Sequence, residues 1–143
     1  MTMTPLRLRD RVRWTELWTA FLEHTGTAVP PEQYDFTWAR LHDGRLHGLV
    51  ARDGDGRISG FVHYLFHEHS ATMRPACYLQ DLFVDATMRA GGVGQALIEA
   101  VADRARVAGS TRLYWSTAND NAVARRLYDR IARQGAVRYD FPL

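Results

Sequence analysis

The sequence predicts an α+β domain, a mixed sheet flanked by helices in the order β-α-α-β-β-β-α-β-α-β. Three observations predict it. The apolar period switches along the chain between about 2, which suits a strand, and about 3.6, which suits a helix. Asp53-Gly54-Asp55-Gly56 is a strong hairpin turn between two apolar segments. Cys77 to Val84 (CYLQDLFV) is largely apolar, as expected of a central strand covered on both faces.

Each element follows from its own pattern. Leu6 and Leu8 alternate with Arg7 and Arg9, which suits a short first strand. From Asp10 onward, Trp14, Leu17, Trp18, Phe21 and Leu22 fall on one face of a helix that Thr25 and Gly26 end. Pro30-Pro31 opens a second helix carrying Tyr34, Trp38 and Leu41. Leu46 to Arg52 and Ile58 to Phe66 are the two arms of the hairpin, and His67 to Pro75 is a loop. Gly94 to Ala108 is helical, with Leu97, Ile98, Val101, Ala102 and Ala105 on one side and Gly109 as the stop. Leu113 to Thr117 is the next strand. Asn119 or Asp120 caps a helix that turns Val123, Leu127 and Ile131 inward and ends near Gly135. Ala136 to Phe141 reads as a last strand.

Composition narrows the function. A chain of 143 residues, 46% hydrophobic and 24% charged, fits one domain over residues 1–143 with a real core. No run approaches the roughly 20 apolar residues of a membrane span. Met1 to Arg13 carries four arginines and no apolar stretch of the kind a secretory signal needs. Cys77 is the only cysteine, which excludes an internal disulfide framework and a cysteine-built zinc site. A soluble cytoplasmic protein is expected. All 18 basic residues are arginine, which codon bias explains more readily than selection for phosphate binding. They lie scattered among 16 acids, so charge implies neither nucleic acid nor membrane as a partner. His63, His67 and His69 share a face if their strand runs straight, but no carboxylate or cysteine completes a set, and no metal is expected.

The chemistry gathers around Arg89-Ala90-Gly91-Gly92-Val93-Gly94, between the buried strand and a helix. Glycines let the backbone approach a ligand, and the free N–H groups of a helix N-terminus bind anions, phosphate above all. Arg89 adds charge beside them. No Gly-Lys-Ser/Thr follows, so this is not a Walker loop. Further on, Tyr128 stands two turns up the helix that follows Asn121. By themselves, Tyr128 reads as a core aromatic and Asn121 as a helix cap.

Together, QDLFV (80–84), R-x-x-G-x-G (89–94) and N-x-x-A-x-x-L-Y (121–128) resemble the GNAT superfamily of acyl-coenzyme A-dependent N-acyltransferases. Tyr78 to Asp85, Tyr114 to Thr117 and the Trp14/Leu17/Trp18 helix extend the likeness to the branch of histone, polyamine and diamine acetyltransferases. The resemblance covers nearly the whole chain. It implies a mostly antiparallel sheet with about four helices, acetyl-CoA as acetyl donor and coenzyme A as product. It implies that main-chain groups of Leu82, Phe83 and Val84 pair with the pantetheine arm. Ala90, Gly91, Gly92, Val93, Gly94 and Gln95 would hold the pyrophosphate beside Arg89, and Asn121 would bond the pantetheine side. Tyr128 would be the catalytic acid, and a phenol of unperturbed pKa ~10 is able to protonate a departing thiolate.

Two departures stand out. Ala90 replaces a usual glycine. Gln80 replaces a glutamate proposed to activate the amine, and glutamine takes no proton. Asp81 is adjacent but points to the other face of a regular strand. His63 has the unperturbed pKa of a base, and a water chain is a further option. Trp18, Tyr34, Asp35, His63, Gln80 and Asp81 are candidates for the acceptor site, since acidic and aromatic groups bind cationic amines. The expected activity is direct transfer of an acetyl group to a primary amine: a polyamine, small amine, amino acid or protein lysine. The alternative is a noncatalytic acyl-coenzyme A-binding or regulatory module. A last strand bearing Val137, Tyr139 and Phe141 at an exposed edge predicts a homodimer.

Overall fold

In the computed structural model, which describes residues 1–143 with the side chain of Ala90 excepted, five strands form one sheet. They are β1 (Thr2–Pro5), β2 (His47–Arg52), β3 (Ile58–His67), β4 (Ala76–Val84) and β5 (Leu113–Tyr114), in that spatial order. The first four pair antiparallel and β5 runs parallel to β4. The helices are α1 (Arg11–Thr25), α2 (Glu32–Arg40), α3 (Val93–Val107) and α4 (Ala122–Ile131), with short 3₁₀ turns at Leu8–Asp10 and Ala86–Gly91.

Strand alternation divides the core into two layers. On one face Trp14, Leu17, Trp18 and Leu22 of α1 and Trp38 of α2 pack on Val50, Phe61 and Phe83. On the other, Val93, Leu97, Ile98, Val101 and Ala105 of α3 pack on Leu49, Ala51, Val62, Cys77 and Leu79. Leu127, Tyr128 and Ile131 of α4 lean on this second layer without being fully buried. The long strongly periodic segments therefore form the elements that their periods dictate.

Five expectations need correction. Val123, expected to face inward, is 67% exposed, because α4 lays only its Leu127, Tyr128 and Ile131 side on the second layer. The first strand is Thr2–Pro5, not Leu6 to Arg9. Asp10 accepts from the Arg7 N–H at 2.7 Å and folds 8–10 into a helical turn, leaving Leu8 exposed. Strand β5 is only Leu113–Tyr114, so it parts from β4 immediately. The cap of α4 is Asn121, whose Oδ1 accepts from the Ala124 N–H at 3.3 Å. Ala136 to Phe141 forms no strand, and Val137, Tyr139 and Phe141 are 76%, 91% and 86% exposed. Alternation shows that a segment suits a strand; it supplies no neighbour, and the two-residue β5 offers almost no ladder to join.

Candidate active site

The short β5 shapes the site. β4 pairs with β3 along its length, but with β5 only at Cys77 and Tyr78. From Leu79 to Val84 its other edge has no strand partner among the described residues. The main chain of Leu82 and the Val84 N–H therefore stand where an extended ligand would add as a strand, whereas Phe83, expected to join them, turns its carbonyl to Gly60 of β3, because alternate residues of a strand face opposite edges. Arg89 caps this edge: its Nε donates to the Val84 carbonyl at 3.2 Å, and its guanidinium lies 5.5 Å from the Phe83 ring centroid.

The edge leads directly to the N-terminus of α3. Gly92 is its cap residue and adopts φ +72°, the left-handed region that glycine enters without strain. No side chain caps the helix, and its first helical N–H bond is that of Ala96 to the Gly92 carbonyl. The N–H groups of Val93, Gly94 and Gln95 thus lack an intrahelical acceptor. A Cβ built on Gly92 would meet nothing within 4 Å, and one on Gly91 would meet only Val93. Uncapped donors, open space and the helix dipole fit a pyrophosphate. The expected contribution of the Ala90 side chain lies outside the described residues.

Helix α4 closes on the same point. A Cβ at Gly94 would stand 3.6 Å from Leu127 Cδ2 and 3.8 Å from Val84 Cγ2, so the end of β4, the start of α3 and α4 converge there. Tyr128 follows Leu127. It packs edge-on against Trp115, with ring centroids 5.4 Å apart, and burial raises its phenol above the ordinary tyrosine range. It keeps its proton at neutral pH, as an acid must. The Asn121 amide is turned to its own helix cap and to Thr117 Oγ1 at 3.4 Å, so the structure shows it positioning α4.

The acceptor face departs most from expectation. His63 pairs with Asp81, but Tyr64 pairs with Leu79, so Gln80 is an extra residue at a β-bulge. The bulge reverses the alternation. Asp81 joins Phe83 and His63 on the α1/α2 face, correcting the regular-strand reading, and Gln80 is exposed. His63 is fully buried, with Nε2 bonded to Trp14 Nε1 at 3.0 Å and Nδ1 to Asp81 Oδ2 at 2.8 Å. With both nitrogens engaged away from solvent, His63 is not placed to take a proton from an amine.

The remaining acceptor candidates are each engaged in other contacts. Trp18 is core, stacked on Trp14 at 5.1 Å. Tyr34 packs edge-on against Trp18 and bonds Thr19 Oγ1 at 2.8 Å. Asp35 is exposed on α2 and paired with Arg11. Acidic and aromatic character on the helix pair suits these three to a cationic amine, but helix packing engages them elsewhere. Cys77 is buried, and burial pushes its thiol up to about 11, far from a nucleophile's range. His63, His67 and His69 are each engaged separately, His67 with Tyr114 Oη at 2.6 Å and His69 with the Ala71 N–H. Trp14 and Trp115 went unrecognised as site residues, because helical spacing marks Trp14 as core and only the Tyr114 to Thr117 motif hinted at Trp115.

Comparison with known proteins agrees with this geometry. Residues 12–132 match the model of the acetyltransferase (GNAT) family. The D-amino-acid N-acetyltransferase HPA3 of Saccharomyces cerevisiae is 37% identical over 127 residues, covering 87% of this chain and 79% of the yeast protein. The crystal structure of a probable acetyltransferase shares the fold with a TM-score of 0.90 at 23% identity, over 100% of this chain and 98% of that one. A ribosomal-protein-alanine N-acetyltransferase from Brucella melitensis biovar Abortus 2308 aligns with a TM-score of 0.82 at 25% identity, over the full length of both. The chain belongs to the acetyltransferase (GNAT) family, and acetyl transfer from acetyl-CoA to an amine is its chemistry.

Proposed function

We propose that the protein acetylates a primary amine, small-molecule or peptide, by direct attack within a ternary complex, with Tyr128 as the general acid. The observation that carries this reading is the convergence at Gly94 of the open edge of β4, the uncapped start of α3 and the helix bearing Tyr128. Acetyl-CoA, when bound, supplies the reactive thioester. The N–H groups of Val93, Gly94 and Gln95 bind its pyrophosphate, and the main chain of Leu82 and the Val84 N–H hold the pantetheine arm. As the amine nitrogen bonds the acetyl carbon and the C–S bond breaks, Tyr128 Oη delivers a proton to the departing sulfur, and the proton shed by the nitrogen passes to solvent, from which the phenol is restored. Cys77, buried and protonated, forms no acyl intermediate, which leaves direct attack.

An amino-acid-sized amine belongs among the acceptors to be tested, because the yeast relative is a D-amino-acid N-acetyltransferase. The decisive measurement is release of coenzyme A from acetyl-CoA against polyamines, small amines, D- and L-amino acids and lysine peptides. Turnover with at least one class is expected; none with any class would sink the proposal. We further propose that the protein is a homodimer joined through its C-terminal segment. Its support is the exposed row Val137, Tyr139 and Phe141, spaced as the apolar face of a strand and covered by nothing in its own chain.

A further inference from the structure

Trp14, His63 and Asp81 form a continuous hydrogen-bonded chain from α1 through β3 to β4. An indole N–H only donates, so His63 Nε2 accepts from it and carries no proton. The remaining ring proton is on Nδ1, directed at Asp81 Oδ2. The chain begins in the core, where Trp14 and His63 are fully buried, and ends in a carboxylate that keeps 18% side-chain exposure beside the Gln80 bulge.

Asp81 also differs from its fellow carboxylates. Of the carboxylates that are not exposed, Asp10, Asp53 and Asp85 each pair with an arginine. Asp81 pairs only with the imidazole, and no arginine reaches it among the described residues. A half-buried carboxylate without a cation favours a cationic partner from outside. Along the same face lie half-buried Leu65 and Tyr78 and exposed Tyr114, with the tyrosine centroids 4.9 Å apart. Aromatic faces next to an anion suit an ammonium group.

We infer that Asp81 receives the ammonium group of the acceptor amine, and that Trp14 and His63 act as positioning residues that fix its carboxylate. This rests on the acetyltransferase reading proposed above. The assignment makes a cationic amine the acceptor class and separates His63 from proton transfer. It also ties α1 to the acceptor site, because displacing Trp14 would free the imidazole to turn away from Asp81.

The test combines steady-state kinetics with coenzyme A affinity by calorimetry. Asp81→Asn should raise the amine KM about 10–100-fold, the range for losing one charge-assisted bond, with coenzyme A affinity unchanged. His63→Leu removes the donor and should raise the amine KM similarly. His63→Asn sets an amide N–H near the position of Nδ1–H and should recover most of that loss. A base at His63 would instead make Asn and Leu equally inactive in kcat, which overturns the inference. An unchanged amine KM in Asp81→Asn overturns it as well. Should His63→Leu fail to fold, Asp81→Asn and His63→Asn still decide. A wild-type protein inactive on every amine overturns the proposed function together with this assignment; an active one with an unaffected Asp81→Asn overturns the assignment alone.

Discussion

Tyr128 is the residue on which the proposed chemistry turns. Tyr128→Phe keeps the ring against Trp115 and removes the proton. We expect turnover to fall roughly 10²–10⁴-fold with coenzyme A affinity nearly unchanged, by single-turnover kinetics and calorimetry. Near-normal chemistry would remove Tyr128 from the role of acid. Gly94 tests the binding half of the site. A Cβ there meets Leu127 and Val84 at ordinary contact distance, so the backbone tolerates it, but a branched side chain projects into the convergence point. Gly94→Leu should weaken coenzyme A binding about tenfold or more, the worth of a helix N-terminus to an anion, in a protein that still melts cooperatively. Unchanged affinity would move the pyrophosphate elsewhere. Gly94 was legible as part of a glycine-rich turn, but Tyr128 by itself reads as a core aromatic, and only the N-x-x-A-x-x-L-Y resemblance points to a proton donor, a task several residue types perform. Asp81 was legible as an acidic candidate for the acceptor site, but not its direction: a bulge has no period, and it decides which way the carboxylate faces.

At the scale of elements, the turn between β4 and α3 is held by Asp85. Its carboxylate accepts from the Thr87 N–H at 3.0 Å and from Arg13 of α1 at 2.7 Å, and these bonds lower it to about 2. Arg13 also donates to the Ile58 carbonyl at 3.1 Å, so one guanidinium joins α1, β3 and the turn before the glycine-rich loop. A group whose folded pKa lies below its unfolded value of ~3.9 stabilises the fold above that value. That contribution is lost as pH falls from about 4 towards 2. Chemical denaturation of Asp85→Asn and the wild type should therefore differ at pH 6 and converge as pH approaches 2. A difference independent of pH would show that the Asp85 charge is not what holds the turn. The helices were legible from their spacing, with boundaries shifted by a residue or two except at the end of α4, which stops at Ile131 instead of near Gly135. The Arg13–Asp85 link was not, since 72 residues separate its ends.

At the scale of the whole molecule, a buried ion pair ties the N-terminus to the sheet. Asp10 accepts from Arg52 at 2.5 and 3.1 Å, and Arg52 also bonds Thr4 Oγ1. Burial alone would raise the Asp10 pKa, but the bonds from Arg52 and the Arg7 N–H outweigh it and hold the carboxyl below its usual range. Asp10→Ala strands Arg52, whose side chain is only 11% exposed, and should cost about 3–5 kcal/mol in equilibrium unfolding. A loss under about 1 kcal/mol would mean that Arg52 finds water or another partner. Assembly is the second prediction at this scale. Light scattering should show a dimer for the intact chain and a monomer for a version ending at Gly135. A monomeric intact protein at micromolar concentration would end the dimer proposal. Two equally dimeric proteins would place the interface elsewhere, and the exposed row at 137, 139 and 141 would then need another explanation.

The sequence by itself determined the order of most elements, the apolar faces of the helices, the glycine-rich turn and the tyrosine two turns beyond Asn121. These are local properties: a period, a turn dipeptide, a cap, each readable within a few residues. Only the tertiary structure decided that Ala136 to Phe141 finds no strand in its own chain, that β5 stops at Tyr114, and that Trp18 enters the core while Tyr34 and Asp35 are engaged by Thr19 and Arg11. It alone turned Asp81 to the face of His63 and locked that histidine between Trp14 and a carboxylate. Each of these depends on pairing between residues far apart in the chain. Hydrophobic period reports how one segment divides its faces; it carries no information on which distant segment meets each face.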